Sequence, residues 1–443
     1  MERVAASIGD RSPQGIAAAL GRLIGSGDIA AGERLPTVRD LARELGVSPG
    51  TVAEAWRMLT VVGAIEARGR AGTFALRTSG LAHRYRSLAS GGGALALDLS
   101  TGIPDPALLP ELGPLLRRVG GKALSGSYLD RPVLPQLEEL LVNSWPFAPG
   151  GFTVVDGALD ALSRVADLIV GFGDRVLIEN PAFPPLIDLL ERQGAELIAL
   201  PLDSEGIVPS ALSDALQLRP STLFLQPRAH NPTGISMSEP RARELSLLLR
   251  DHPVTVVEDD HCGDISIADD VSLGRYLDNR VIHIRSFSKS HGPDLRIAAV
   301  GGPAELIDRL VERRLLGPGW TSRMVQSLLV ELLTDPDSID VVAQARRTYA
   351  QRQRELAGAL ASCGLPLAAG DGINQWVPVV DERLALVRAA AAGIGVAPGA
   401  PFVLPGLAGD HVRVTVGLIS SGAEHVAQCL AAAALPAPQS RAV

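Results

Sequence analysis

The chain has 443 residues, enough for a small domain together with a larger one, and its 46% apolar residues can fill both cores. The net charge of −8 excludes a protein that is basic throughout, although residues 1–80 carry ten basic and eight acidic side chains, so only this part is a candidate for binding nucleic-acid phosphates. Three cysteines without paired spacing predict neither disulfides nor a metal site, and the lack of a signal-peptide core or of an apolar run of ~20 residues predicts a cytoplasmic protein without a membrane span.

The first 75 residues have the pattern of three helices followed by a wing. Residues 14–26 carry apolar side chains at helical spacing and end in glycines. A second helix is predicted to begin after Thr37 as its N-cap, and a third after Ser48, with Pro49 in its first turn. Because two helices across a short turn precede the strand-like residues 65–74, we predict a winged helix-turn-helix, with a three-helix interaction module as the alternative.

The motifs of this region closely resemble the DNA-binding domain of the GntR family. They are the segments LPTVRDLA at 35–42, LGVS at 45–48, TV at 51–52 and GTF at 72–74. The resemblance implies DNA contacts from the helices, and arginines of the wing are placed to reach phosphates or the minor groove. The predicted DNA-binding residues are Thr37, Arg39, Ser48, Thr51, Arg68 and Arg70.

Residues 79–97 are loose in composition and rich in glycine towards their end, which is typical of a flexible linker. We therefore predict a DNA-binding domain at residues 1–78, a linker at 79–97 and a second domain at 98–443.

Two lysines occur among the 41 basic residues, Lys122 and Lys289. A Schiff base requires a primary amine that can lose its proton, which a guanidinium effectively cannot, so Lys289 is the first candidate for a covalent link to a cofactor. The apolar run 281–285 before it reads as a buried strand. Hydroxyls and an arginine follow that strand at Ser286, Ser288 and Arg296, and they suit an anionic phosphate beside a carbonyl carbon.

Two other predicted strands also end in polar residues. The run 254–257 leads into Asp259, and the run 222–225 leads into the turn that contains Asn231. In a doubly wound sheet ligands bind at the carboxyl ends of strands, so these termini are expected to face one site.

An amide, a carboxylate and a lysine delivered in this order by three strand ends resemble the fold type I pyridoxal-phosphate enzymes, the aspartate aminotransferase superfamily. The resemblance extends over residues 98–443. It implies an α/β fold with a mixed, mostly parallel sheet, a smaller C-terminal α+β lobe, and pyridoxal 5'-phosphate as the cofactor. A site shared across a homodimer is also implied.

The resemblance assigns roles residue by residue. Lys289 is implied to be the catalytic lysine that binds the cofactor covalently, Asp259 to keep the pyridine nitrogen protonated, and Asn231 to bind the ring hydroxyl. Phosphate ligands are implied at Ser286, Ser288, Arg296 and the amides of Gly157, Ala158 and Leu159. The remaining roles are ring stacking for Phe183, contact with the phosphate of the other subunit for Tyr128, and binding of a substrate carboxylate for Arg413.

His261 departs from the family pattern. Members usually have a tyrosine two or three residues after the pyridine-binding aspartate, where it donates to the ring hydroxyl, and His261 takes that place. Imidazole can donate as well, but it is shorter and titrates near neutrality. Cofactor binding is therefore predicted at His261, whereas catalytic competence is open.

Joined in this order, the two regions resemble the MocR regulators. We predict a cytoplasmic transcriptional regulator that binds operator DNA and senses a small amino compound at its pyridoxal-phosphate site. Two alternatives stay open: a working aminotransferase with an appended DNA-binding domain, and a sensor of pyridoxal phosphate itself.

Overall fold

The structure is a computed structural model that describes residues 7–25, 28–30, 32–61, 64–76, 95–120, 127 and 130–434. We refer to residues 7–76 as the head and to residues 95–434 as the large domain. The head consists of three helices and a two-stranded antiparallel wing: α1 (Pro13–Gly25), α2 (Val38–Leu45), α3 (Pro49–Val61), β1 (Ile65–Ala67) and β2 (Thr73–Ala75).

Local hydrogen bonds explain where the helices of the head begin and end. The Thr37 hydroxyl accepts the backbone N–H of Asp40 at 3.2 Å and caps α2, and the Ser48 hydroxyl accepts the N–H of Thr51 at 3.1 Å and caps α3. Between the two helices Gly46 has a φ of 65°, a left-handed conformation that glycine adopts without steric cost. The turn of the helix-turn-helix thus follows directly from these residues.

The large domain is organised around an eight-stranded sheet in the order β4-β11-β10-β9-β8-β5-β6-β7. Its strands are β4 (Gly151–Val155), β5 (Arg175–Asn180), β6 (Glu196–Asp203), β7 (Gly206–Ile207), β8 (Thr222–Leu225), β9 (Thr255–Asp260), β10 (Val281–Ser286) and β11 (Ala298–Gly302). Strands β10, β9, β8, β5 and β6 pair in parallel, whereas β11 and β7 are antiparallel to their neighbours. The sheet is mixed and mostly parallel, as predicted.

Strands of this sheet are apolar on both faces. Successive residues of β5 show the alternation, because Val176 and Ile178 join one core cluster while Leu177 joins another. Helices pack against both clusters, as expected for a doubly wound sheet. The helices before and around the sheet are α4 (Leu112–Gly120), α5 (Pro135–Asn143), α6 (Ala158–Ile169), α7 (Pro184–Gln193), α8 (Pro209–Leu216), α9 (Glu239–Leu249), α10 (Ala304–Leu315) and α11 (Arg323–Thr334).

The remaining residues form the smaller C-terminal lobe. Its elements are β3 (Leu97–Asp98), α12 (Pro336–Ser362), β12 (Gln375–Val379), α13 (Glu382–Ala391), β13 (Ile394–Gly395), β14 (Ala397–Pro398), β15 (Asp410–Val414) and α14 (Ala423–Ala434). Leu97 of β3 pairs with Ile394 of β13, so a segment far earlier in the sequence belongs to this lobe. It begins one residue before position 98, the predicted start of the large domain. No described helix is both long and apolar enough to cross a membrane.

Candidate functional site: a buried carboxylate, a lysine and an arginine at the sheet edge

The polar residues predicted from the sequence meet where parallel strands end. Gln226 follows β8, Asp259 lies one residue before the end of β9, and Ser286 is the last residue of β10. The register places Asp259 opposite Ile284, two residues before Ser286. These side chains therefore share one edge of the sheet, where doubly wound folds bind their ligands.

The carboxylate of Asp259 is buried and only partly satisfied. Its Oδ2 accepts a hydrogen bond of 2.7 Å from Nε2 of Gln226, while no group in the described part of the chain donates to its buried Oδ1. Burial raises the pKa of Asp259 to about 6, since the bond from Gln226 only partly offsets lost hydration. A buried acceptor without a donor is costly, and a protonated pyridine nitrogen fits it chemically.

Gln226 fixes the direction of this carboxylate and was missed by the sequence reasoning. Its Oε1 accepts the backbone N–H of Asn231 at 2.8 Å, which sets the amide so that Nε2 faces Asp259. Its own backbone N–H donates to the carboxyl of Glu179 at 2.7 Å. Burial raises the pKa of Glu179 to about 8, so that group is mainly neutral at pH 7. The signal that was available is a polar residue directly after an apolar strand.

Lys289 lies next to this carboxylate, and its amine donates a hydrogen bond to the carbonyl oxygen of Gly102. Burial lowers the pKa of Lys289 to about 8, and the nearby Arg413 guanidinium acts in the same direction. A substantial fraction of the amine is therefore neutral near physiological pH, which is the form that attacks a carbonyl carbon.

Asn231 and Arg413 converge on the same site from different lobes. The side-chain oxygen of Asn231 accepts from Nδ2 of Asn374 at 3.4 Å and from Nη1 of Arg413 at 3.5 Å. The Arg413 guanidinium also donates to the carbonyl of Ser100 and lies 5.2 Å from the ring centroid of Phe402. Its fixed fork is thus placed beside the predicted cofactor residues, as the binding of a carboxylate requires.

The ring proton of His261 is hydrogen-bonded to a backbone carbonyl and so is not free to be donated to a ligand. Its Nε2 lies 2.9 Å from the carbonyl oxygen of Ala229, and because a carbonyl only accepts, Nε2 must carry the proton. Burial lowers the pKa of His261 to about 4, so the ring is neutral and Nδ1 is an acceptor. The arrangement differs in this respect from the tyrosine that the family usually has.

The predicted phosphate ligands Gly157 and Arg296 lie together at the N-terminus of α6. Gly157, the N-cap, has a φ of 103°, and a Cβ placed on it would lie 2.9 Å from Nη2 of Arg296. The amides of Ala158 and Leu159 begin the helix, where backbone N–H groups favour anions. A second group of candidate ligands lies at the end of β10, where the Ser288 N–H donates to the Ser286 hydroxyl at 3.3 Å.

The two predicted aromatic residues have different outcomes. Phe183 is half-buried at the N-cap of α7 and packs against the main core cluster. Tyr128 lies outside the described residues.

A cluster of possible metal ligands lies near the site, and an arginine of the protein neutralises its charge. Asp260, Asp270 and His283 offer ligand atoms within 4.8 Å of one another, but the Arg228 guanidinium forms an ion pair with Asp260 and lies 3.3 Å from Asp270. Arg228 therefore takes the place that a cation would have there.

The head exposes a surface that is suited to DNA. Arg39 and Ser48 are exposed and Thr51 is half-buried, whereas the Thr37 hydroxyl is engaged in capping and donates to Asp40 at 2.6 Å. The Arg68 side chain folds onto the wing, with its Nε donating to Glu66 at 2.8 Å. Arg70 lies in the turn Gly69–Ala71, and its side chain is outside the described part of the structure.

Two family models match the chain. That of the class I and II aminotransferases matches residues 96–430, and that of the gntR family of bacterial regulatory proteins matches residues 13–75. The chain therefore belongs to the class I and II aminotransferase family and carries a GntR-type helix-turn-helix domain at its N-terminus. The predicted MocR-type architecture, its fold class and pyridoxal phosphate as the cofactor are confirmed.

Full-length relatives are named as transcriptional regulators. The vitamin B6 salvage pathway transcriptional repressor PtsJ of Salmonella typhimurium is 36% identical over 360 residues, covering 80% of this chain and 82% of PtsJ. The regulator TauR of Rhodobacter capsulatus is 27% identical over 86% of this chain and 87% of TauR. The large domain also matches LysN, an α-aminoadipate aminotransferase from Thermus thermophilus, with a TM-score of 0.69, 24% identity, and coverage of 80% of this chain and 95% of LysN. This protein is thus a pyridoxal-phosphate-dependent, DNA-binding transcriptional regulator.

The lowered pKa of Lys289 predicts how cofactor attachment depends on pH. Because the neutral amine reacts, the rate at which the apoprotein traps pyridoxal phosphate should rise with pH and level off above about 8, rather than near the ordinary lysine value of about 10.4. Arg413→Gln should move the midpoint upwards, since it removes a positive charge that disfavours the ammonium. Borohydride trapping at a series of pH values measures this. A wild-type midpoint near 10, or no shift in the variant, contradicts the assignment.

Proposed function

We propose that this protein is a cytoplasmic homodimer whose affinity for its operator is set by what occupies the Lys289 site, with pyridoxal phosphate or an amino compound as the signal. One observation supports it above the others. No described residue donates to the buried Oδ1 of Asp259, and the same chain carries an exposed surface suited to DNA.

The cofactor, when bound, supplies a carbonyl carbon that links to amines and a ring that withdraws electrons. Lys289 would supply the amine, Asp259 would accept from the ring nitrogen, and Asn231 would bind the ring hydroxyl. Gly157, Ala158, Leu159, Arg296, Ser286 and Ser288 would hold the phosphate. Phe183 would stack on the ring, and the family resemblance gives Tyr128, which lies outside the described residues, the role of contacting the phosphate of the other subunit.

Two signals are compatible with this site. Arg413 presents a guanidinium beside Lys289, which suits the carboxylate of an amino acid. PtsJ is by name a repressor of a vitamin B6 salvage pathway, and its similarity to this chain supports pyridoxal phosphate itself as a signal. Either ligand regulates only if it binds one arrangement of the heads more tightly than another.

A homodimer would place two heads on two half-sites of one operator. Thr51, near the start of α3, would then read bases in the major groove, while Arg39 would contact the DNA backbone.

Footprinting on the protein's own promoter tests the proposal. We expect protection of paired half-sites whose extent changes when pyridoxal phosphate or a candidate amino acid is added. Arg39→Ala should weaken binding to all sequences and lower the log–log salt slope by about 0.9 per lost phosphate contact. Arg250→Ala, which removes an exposed arginine of the large domain, is the matched control and should leave the slope unchanged. A footprint that stays the same with every ligand added would contradict regulation through this site.

A working aminotransferase is the second candidate, because Lys289 with a pKa near 8 is suited to remove a proton from carbon. The Nε2 proton of His261, however, is committed to Ala229, so the ring hydroxyl has no donor from this residue. A misplacement of about 1 Å costs on the order of a hundredfold in rate.

We therefore expect ligand-induced spectral change with slow or absent turnover. His261→Tyr should raise keto-acid production, whereas His261→Phe, similar in size but without a hydroxyl, should not. Product detection over many equivalents of amino acid measures both. Wild-type turnover above about 1 per second would favour the enzyme instead.

A further inference from the structure

Phe172 joins the head to the large domain. It lies in the turn between α6 and β5, yet its ring packs against the hydrophobic core of the head. A Cβ placed on Gly21 of α1 would lie 3.0 Å from Cε2 of this ring, and one placed on Gly194 would lie 2.4 Å from Cδ2. Phe172 thus sits between a helix of the head and a turn of the large domain, with glycine on both sides.

A second contact lies beside the first. A Cβ placed on Gly173 would lie 2.0 Å from Cε of Met58 in α3, so the end of the Met58 side chain reaches the backbone of the large domain. The backbone N–H of Gly173 also donates to the carbonyl of Gly194 at 2.8 Å. We call Gly21, Met58, Phe172, Gly173 and Gly194 the joint.

Charged residues border the joint without fixing it. An open cleft there is lined by Arg57 of α3 and Glu196 of β6. The Glu54 carboxylate and, more weakly, Glu196 raise the pKa of Arg57. Both Arg57 and Glu54 are about half exposed in their side chains, so solvent screens this attraction. Apolar contact at the joint is therefore the specific part of the interface.

Helix α7 connects the joint to the cofactor site. Its N-cap is Phe183 and its C-cap is Gly194, and ten helical residues span about 15 Å between them. Leu186, Ile187 and Leu190 bury one side of the helix in the main core. A packed helix of this kind moves as a unit, so a displacement at its first residue also reaches its last.

We propose that α7 and the joint couple the cofactor site to the DNA-binding head. Ligand at the site changes the position of Phe183, α7 carries the change to Gly194 and Phe172, and these residues set where α1 and α3 lie on the large domain. The inference rests on the proposed function. It adds to that function a surface of the large domain on which the head of the same chain packs.

Phe172→Ala tests the coupling. The measured quantity is the ratio of the dissociation constants for operator DNA without and with pyridoxal phosphate. A coupling of ordinary size gives the wild type a ratio that differs from one by about 5- to 150-fold, and the variant should fall to within about twofold of one. Visible absorbance of the bound cofactor should be unchanged. If the wild-type ratio is one with pyridoxal phosphate and with every candidate amino acid, the proposed function fails; if the variant keeps a wild-type ratio that differs from one, the coupling inference fails.

Gly21→Leu changes the joint from the side of the head and alters no residue of the large domain. The added side chain collides with Phe172, so the same loss of response is expected even if Phe172→Ala is too unstable to measure. Val387→Ala, at an exposed valine of α13 in the C-terminal lobe, should retain the response. Loss of response in Val387→Ala equal to that in Gly21→Leu would overturn the assignment to the joint.

Cross-linking identifies which head occupies the surface. In a Cys363→Ser, Cys429→Ser background, where Cys262 is fully buried, Arg57→Cys of the head and Glu196→Cys of the large domain, which line the cleft beside the joint, should be bridged by a short bismaleimide within one chain. The product should run as a monomer on a denaturing gel, and its DNA affinity should no longer respond to pyridoxal phosphate. A dimer band, or an undiminished response in the cross-linked protein, contradicts the proposal.

Discussion

A buried carboxylate, one of whose oxygens has no donor among the described residues, is the constraint around which the site is built. Asp259 lies inside the sheet edge, where an ion without partners costs several kcal/mol, and Gln226 satisfies only one of its oxygens. A protonated ring nitrogen bound at Oδ1 would complete the pair and favour the ionised carboxylate. Cofactor binding and the charge state of Asp259 are therefore linked, and the fold holds the site ready for one kind of ligand.

The rest of the fold positions the residues around Asp259. Parallel strands deliver Gln226, Asp259 and Lys289 to one edge, and the C-terminal lobe adds Arg413. The same strands anchor α7, which runs from the predicted ring-stacking Phe183 towards the head. The arrangement that suits catalysis in an aminotransferase thus also suits sensing, because a ligand that is held without being consumed is a signal.

Much of this was predictable from local sequence. The caps at Thr37 and Ser48 and the lysine after a strand are encoded by neighbouring residues, and the family resemblance brought Arg413 into the same site. Contacts between distant residues were not predictable: the amide of Gln226 meets a carboxylate 33 positions away, and Gly102 accepts from an amine 187 positions away. Such pairs depend on how the strands stack, which periodicity alone does not specify. The same holds for the proton of His261, whose acceptor Ala229 lies on another strand end.

We infer that the cofactor held by Lys289 governs DNA binding. Borohydride reduction of the holoprotein makes the link permanent, so the adduct can be mapped and the operator affinity measured after all free cofactor is removed. We expect an adduct on Lys289 and an operator affinity equal to that of the holoprotein and different from that of the apoprotein. An adduct on Lys122, or equal affinities for the reduced protein and the apoprotein, would contradict it.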